Sequence, residues 1–245
     1  MADAGRVKRF YAAAAVRSDG DGHAILLDGR PVKTPAKAPL AVPARALADA
    51  IAAEWNAQGD RIEPRTMPLT GLANAAIDRV APDPAAFASG LARYGETDLL
   101  CYRADAPAAL VHRQAGAWDP LLAWARRRFD IDFTVTAGVL HRPQPAITVD
   151  RLARAVAAHD AFTLAALSPL VTIAGSLVIA LALAEGAIPL DEAWRAATID
   201  ESWQAEQWGE DAEAAAALAN RRAEFEAAER FLQLVIPAKA GTSST

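Results

Sequence analysis

The spacing of apolar residues changes near residue 44. Before that point it is strand-like. Arg9 to Val16 and His23 to Leu27 each read as a strand, separated by the Ser18–Gly22 turn SDGDG, whose residues tolerate positive φ. Asp28-Gly29 is a two-residue hairpin signal, and Arg30 to Thr34 would return as an edge strand bounded by Pro31 and Pro35. From Ala44 onward the period is helical. Leu47, Ala50, Ile51, Glu54 and Trp55 share one face, and Gly59 ends the run. Trp55 is expected in the core. Thr66 to Val80 repeats the pattern, and APDP at 81–84 marks a linker. Further helices are expected near 84–95, 115–129, 149–163, 169–184 and 190–233, the last broken near Trp208-Gly209. Phe133 to Thr136 reads as a short strand or extended connection. The fold class is therefore α+β. A small N-terminal α+β domain over 1–82 precedes a helical C-terminal domain over 83–236, and a disordered tail over 237–245 follows.

The run from Ala161 to Ala184 holds 24 residues without a charge. A membrane-spanning helix needs about 20 apolar residues. Ser168-Pro169 reads as an N-cap followed by Pro at the first helical position, and Gly186 as the stop. A helix from Pro169 to Glu185 would be about 24 Å long at 1.5 Å per residue, which is short for a span. A buried helix of a helical domain is expected, with no membrane insertion. Gly175-Ser176 near its middle would allow a close neighbour.

Composition narrows the function. The formal net charge is −5, which argues against general nucleic-acid binding. The run Arg126 to Arg128 reads as a solvated helix end. Cys101 is the single cysteine, so no intramolecular disulfide can form, and a reducing compartment is expected. It stands among apolar residues and reads as an inert buried thiol. His23, His112, His141 and His159 are scattered, with no metal-ligand spacing, and neither a phosphate-binding loop nor a dinucleotide fingerprint is present. No cofactor or metal is expected. The N-terminus lacks a signal-peptide core or transit pattern, so the mature chain is expected to start near Met1.

DESWQAEQWGEDAE at 200–213 is the most unusual stretch, with six carboxylates in fourteen positions and no lysine or arginine. Glu206, Glu210 and Glu213 would share a helix face. A solvated face, a carboxylate pair serving a hydrolase, a metal site, and an acidic aromatic surface for a basic partner all remain open on this pattern alone.

Seven segments taken in order carry a resemblance. They are LLDGRPVKTP (26–35), EWNAQG (54–59), TMPLT (66–70), ETDLLCYR (96–103), RQAGAWDPLLAW (113–124), GSLVIALA (175–182) and DESWQAEQWGEDAE (200–213). Together the chain resembles the assembly chaperone family that attends the alpha subunit of the F-type ATP synthase catalytic head. The resemblance implies a non-enzymatic chaperone that holds unassembled alpha until beta displaces it. It also implies that bacterial members are cytoplasmic and mitochondrial members lie in the matrix; the missing transit pattern points to a bacterial protein, which is expected to be monomeric when free. The expected partner-binding residues are Asp200, Glu201, Trp203, Glu206, Trp208, Glu210, Asp211 and Glu213. A hydrolase with a carboxylate pair at 200–213, or a hydrophobic-ligand carrier lined by the 169–184 helix, are the alternatives.

Overall fold

In the computed structural model, residues 7–20, 22–138, 140–209 and 211–235 are described. The chain forms two compact units. Of the described residues, one holds those up to Asp83 together with Ala161–Ala166 and 230–235; the other holds those within Pro84–Asp160 and Leu167–Glu229.

The first unit begins with a hairpin of β1 (Ala14–Asp19) and β2 (Gly22–Leu27), paired antiparallel from Ala14↔Leu27 to Asp19↔Gly22. The strand begins later than the alternation suggested, because Arg9 turns its guanidinium onto the Gln58 and Ala12 carbonyls and its own amide onto Asp60. At the second hairpin Asp28 and Gly29 have φ of 46° and 79°, the positive pair that a tight primed turn needs. Asp28 also accepts hydrogen bonds from the Ala12 and Ala13 amides, which hold its carboxyl below the usual range. The return strand β3 (Arg30–Pro31) is only two residues long, and β4 (Ala41–Val42), which alternation did not reveal, pairs further along β2.

Helix α1 (Arg45–Asn56) packs on β1 and β2 with Leu47, Ala48 and Ile51 fully buried. Trp55 is only half-buried, contrary to expectation, because it sits at the end of α1 with Tyr11 edge-on at 5.6 Å. Glu54 has a different task from core filling. Its carboxylate accepts from the Leu69 and Thr70 amides at 2.8 Å each, capping α2 (Pro68–Ala75). A π-turn over Ala76–Val80 continues α2.

The second unit is helical. Helix α3 (Pro84–Ala92) runs into a 3-10 turn at Arg93–Gly95. A two-residue strand, β5 (Tyr102–Arg103), leads to α4 (Ala108–Phe129), and β6 (Thr136–Ala137) pairs parallel with β5. Then come α5 (Ala146–Ala157), α6 (Ala161–Ala174), α7 (Leu177–Ala184), α8 (Leu190–Ala197), α9 (Ile199–Trp208) and α10 (Ala212–Val235), of which the start of α6, Ala161–Ala166, and the end of α10, from Arg230, belong to the first unit.

Several boundaries differ from expectation: α4 starts at Ala108 instead of near 115, and the helix expected near 149–163 ends at Ala157. The uncharged run is not a helix starting at Pro169: α6 passes through Pro169, and the interruption falls at Gly175-Ser176. Gly175 has φ +63°, and the Ser176 hydroxyl accepts from the Ile179 amide at 3.0 Å, capping α7. Among the described residues no helix is long and apolar enough to cross a membrane. The segment expected over 190–233 is divided at Thr198 as well as at Gly209, whose φ of 87° admits the turn near Trp208 as expected.

Helix α7 is the buried centre of this unit. Leu177 through Ala182 are wholly enclosed, with α4 and α8 packed against it. Two separate sequence segments meet at its start. Asp98, from ETDLL, is completely buried; its carboxylate accepts from Ser176 Oγ at 2.7 Å, Val178 N at 2.9 Å and Leu100 N at 3.1 Å. Burial outweighs these donors and raises its pKa to about 6. Cys101, three residues on, is buried too, and desolvation pushes its thiol to about 12, as an inert cysteine requires.

Candidate partner-binding surface

The acidic stretch forms α9, the turn at Gly209 and the first turn of α10. Helix α4 holds it in place. Gln114, buried on α4, donates from Nε2 to Asp200 Oδ1 at 2.7 Å and accepts the Ala104 amide at 2.8 Å. One turn on, the fully buried Trp118 donates from Nε1 to the Ala196 carbonyl at 2.8 Å. Arg113 makes a two-pronged pair with Glu206, at 2.7 and 2.9 Å, while its guanidinium lies 5.1 Å from the centre of the Trp203 ring. That pairing lowers the Glu206 pKa and raises that of Arg113.

The expected site residues therefore fall into two groups. Asp200, Glu201, Trp203 and Glu206 have partners from elsewhere in the unit; Glu201 pairs with Arg221 of α10 at 3.1 Å. Trp203 is half-buried beneath Arg113. Trp208, Asp211 and Glu213 lie outermost. Trp208 is 79% exposed, far beyond what a large aromatic ring ordinarily shows. Asp211 is exposed and accepts the Ala214 amide at 3.0 Å, capping α10, and Glu213 stands exposed in the same first turn. Glu210 lies outside the described residues.

An open cleft of about 580 Å³ borders the surface, with Trp118, Thr172, Gly175, Asp200, Glu201 and Arg221 on its walls. Two carboxylates line it, each with a partner of its own. Asp200 is bound by an amide and Glu201 by a guanidinium, and Glu206 is held ionised, the opposite of a proton donor. Of the 169–184 segment expected to line a carrier cavity, the α7 part packs against protein on all sides, while Thr172, Ile173, Ala174 and Gly175 border this open cleft. The arginine run at the end of α4 is occupied by acids: Arg126 pairs with Asp132 at 3.1 Å and Arg128 with Glu185 at 2.5 Å.

Arg113 and Gln114 were missed as parts of the surface. They stand in the RQAGAWDPLLAW segment, where Arg, Gln and Trp at positions 113, 114 and 118 face α8 and α9. The polar pair ahead of a buried tryptophan was the available signal, but nothing in the sequence says which acid an arginine ninety-three residues away will choose.

Comparison places this chain within a known group of proteins. Residues 8–126 match the family described as ATP12 chaperone protein. The crystal structure of Atp12 from Paracoccus denitrificans superposes with a TM-score of 0.89 at 47% identity, covering 94% of this chain and 98% of that one. A point mutant of the same Paracoccus protein matches at 46% identity and the same TM-score. The Atu1473 protein from Agrobacterium tumefaciens matches with a TM-score of 0.90 at 43% identity, over 94% of this chain and 87% of that one. With the identity and coverage this high along nearly the whole length, the chain belongs to the ATP12 chaperone family.

Proposed function

We propose that this protein is an assembly chaperone of the F-type ATP synthase. It binds the unassembled alpha subunit and keeps it from aggregating until beta displaces it. It works in the bacterial cytoplasm as a monomer when free, without catalysis. Membership of a chaperone family supports this reading, and the observation that favours the acidic stretch as the docking site is Trp208, a 79% exposed tryptophan followed in sequence by the exposed Asp211 and Glu213.

The physical logic is direct. A subunit awaiting its neighbour exposes a large apolar face, and such faces aggregate. A chaperone that must later release it needs a moderate, partly polar interface. Trp208 offers the anchor, because tryptophan is enriched among residues that dominate binding energy. Asp211 and Glu213, with Glu210 just ahead of them in sequence, offer charge that speeds and selects encounter with a basic patch. Asp200, Glu201, Trp203 and Glu206 form the supporting part of the same surface.

Co-expression with the cognate alpha subunit, followed by size-exclusion chromatography, tests the proposal. Alpha should elute in a soluble complex and leave it when beta is added. Alpha that aggregates equally with and without this protein would overturn the reading.

A further inference from the structure

Arg113 belongs to no part of the surface that the sequence identified, yet its guanidinium touches two of that surface's members at once. Trp203 and Glu206 are three residues apart on α9 and so stand one above the other on one face. Arg113 reaches across from α4 to hold both: two hydrogen bonds to the carboxylate, and a cation over the ring. Glu206 is about half exposed and Arg113 about two-fifths, so the pair lies at the surface. An exposed ion pair contributes little to overall stability, because solvent screens it. The geometry serves placement instead: a planar fork fixes a carboxylate's direction, and a stacked guanidinium fixes a ring's.

We infer that Arg113 is a positioning residue of the docking surface. It sets the orientation of Trp203 and the last turn of α9, from which Trp208 projects, and it neutralises Glu206. Glu206 is then an internal strut and not a contact for the partner. The charge offered outward comes from the turn beyond it. This inference rests on the proposed docking role, but its test has a part that does not.

The test is a charge exchange: Arg113→Glu, Glu206→Arg, and the two combined, each against the alpha subunit in rate measurements. Either single change places like charges together and should slow association or speed release by roughly tenfold. The combined variant restores an opposite-charge pair with the cation still beside Trp203, and should recover to within about threefold of the unaltered protein. If the combined variant is as weak as the two single losses together, Glu206 meets the partner itself and the inference fails. It fails equally if Arg113→Glu binds normally. The free protein gives the independent reading: the indole N–H resonance of Trp203, assigned through Trp203→Phe, should move in each single variant and return in the combined one. An unmoved resonance overturns the positioning role whatever the binding data show. If the unaltered protein binds no alpha at all, the docking proposal falls, and the indole resonance still decides the role of Arg113.

Discussion

Asp98 shows how one side chain can fix a local structure that composition does not announce. The acid is wholly buried where two segments seventy-eight residues apart meet, and its oxygens collect a hydroxyl and backbone amides at the start of α7. In sequence it was simply the third residue of ETDLL, within a recognisable segment but with no assignable task. The reason is physical: a carboxylate's role depends on which donors surround it, and those come from a distant turn. Because its pKa rises from the ordinary 3.8 to about 6, the folded state keeps a proton through a range where the unfolded chain has released it. Stability attributable to Asp98 therefore falls as pH rises from about 4 to about 6 and is flat above. Two pK units at about 1.4 kcal/mol each put the change on the order of 3 kcal/mol. Asp98→Asn removes that dependence but turns an amide N–H₂ toward groups that are themselves donors. It should cost about 1–3 kcal/mol for an unsatisfied donor. Urea unfolding of both proteins between pH 3 and pH 7 checks this: the gap between them should be widest at low pH and narrow as pH rises. A gap that stays constant would mean that Asp98 does not titrate in this range.

At the scale of elements, the uncharged run illustrates what was legible and what was not. Its burial followed directly from its composition, and the Gly186 stop and the break at Gly209 were correctly placed. Its internal boundary was not. Ser168-Pro169 and Gly175-Ser176 are both plausible interruptions by local rules, and a proline inside a helix ordinarily costs enough to favour the first. The second prevails because Ser176 gains a partner that the first serine lacks, the buried Asp98 carboxylate at 2.7 Å, while Gly175 adopts the left-handed backbone that the chain needs to re-enter a helix. The two readings order a pair of substitutions oppositely. Pro169→Ala should be neutral or stabilising, since it restores a helical N–H. Gly175→Ala should cost about 1–2 kcal/mol from the positive φ alone, because the added methyl meets nothing nearer than Leu99 Cβ at 3.9 Å. Denaturation midpoints for the two variants decide the matter; a larger loss at Pro169 would restore the boundary to that position. Gly95 differs in kind. A methyl there would lie 3.1 Å from Leu152 Cδ1, so its smallness serves close packing against α5.

At the scale of the whole molecule, the net charge of −5 says less about partner choice than how that charge is distributed. The acidic stretch contains no basic residue, so in sequence all its carboxylates looked equally available. Folding brings Arg113 and Arg221 to two of them, Gln114 to a third and a helix amide to Asp211. The sequence offered the eight expected site residues as one undivided stretch; the differences among the seven described ones required the structure. Exposure separates the two tryptophans in the same way, Trp203 held beneath a guanidinium and Trp208 standing in solvent. Such separation makes Trp208→Ala the sharpest test of where the partner lands. A side chain 79% exposed has little packing to lose, so its removal should change unfolding stability by no more than about 0.5 kcal/mol. If the ring is the anchor, removal should weaken capture of the alpha subunit by about tenfold or more, chiefly through faster release. Glu213→Lys should act differently, slowing association at low salt and losing its effect as salt screens the field. Rate measurements at two ionic strengths separate these signatures. Full affinity in Trp208→Ala would move the anchor away from the end of α9, while an equal loss of stability and binding would mean that the exposed ring supports the fold rather than the partner.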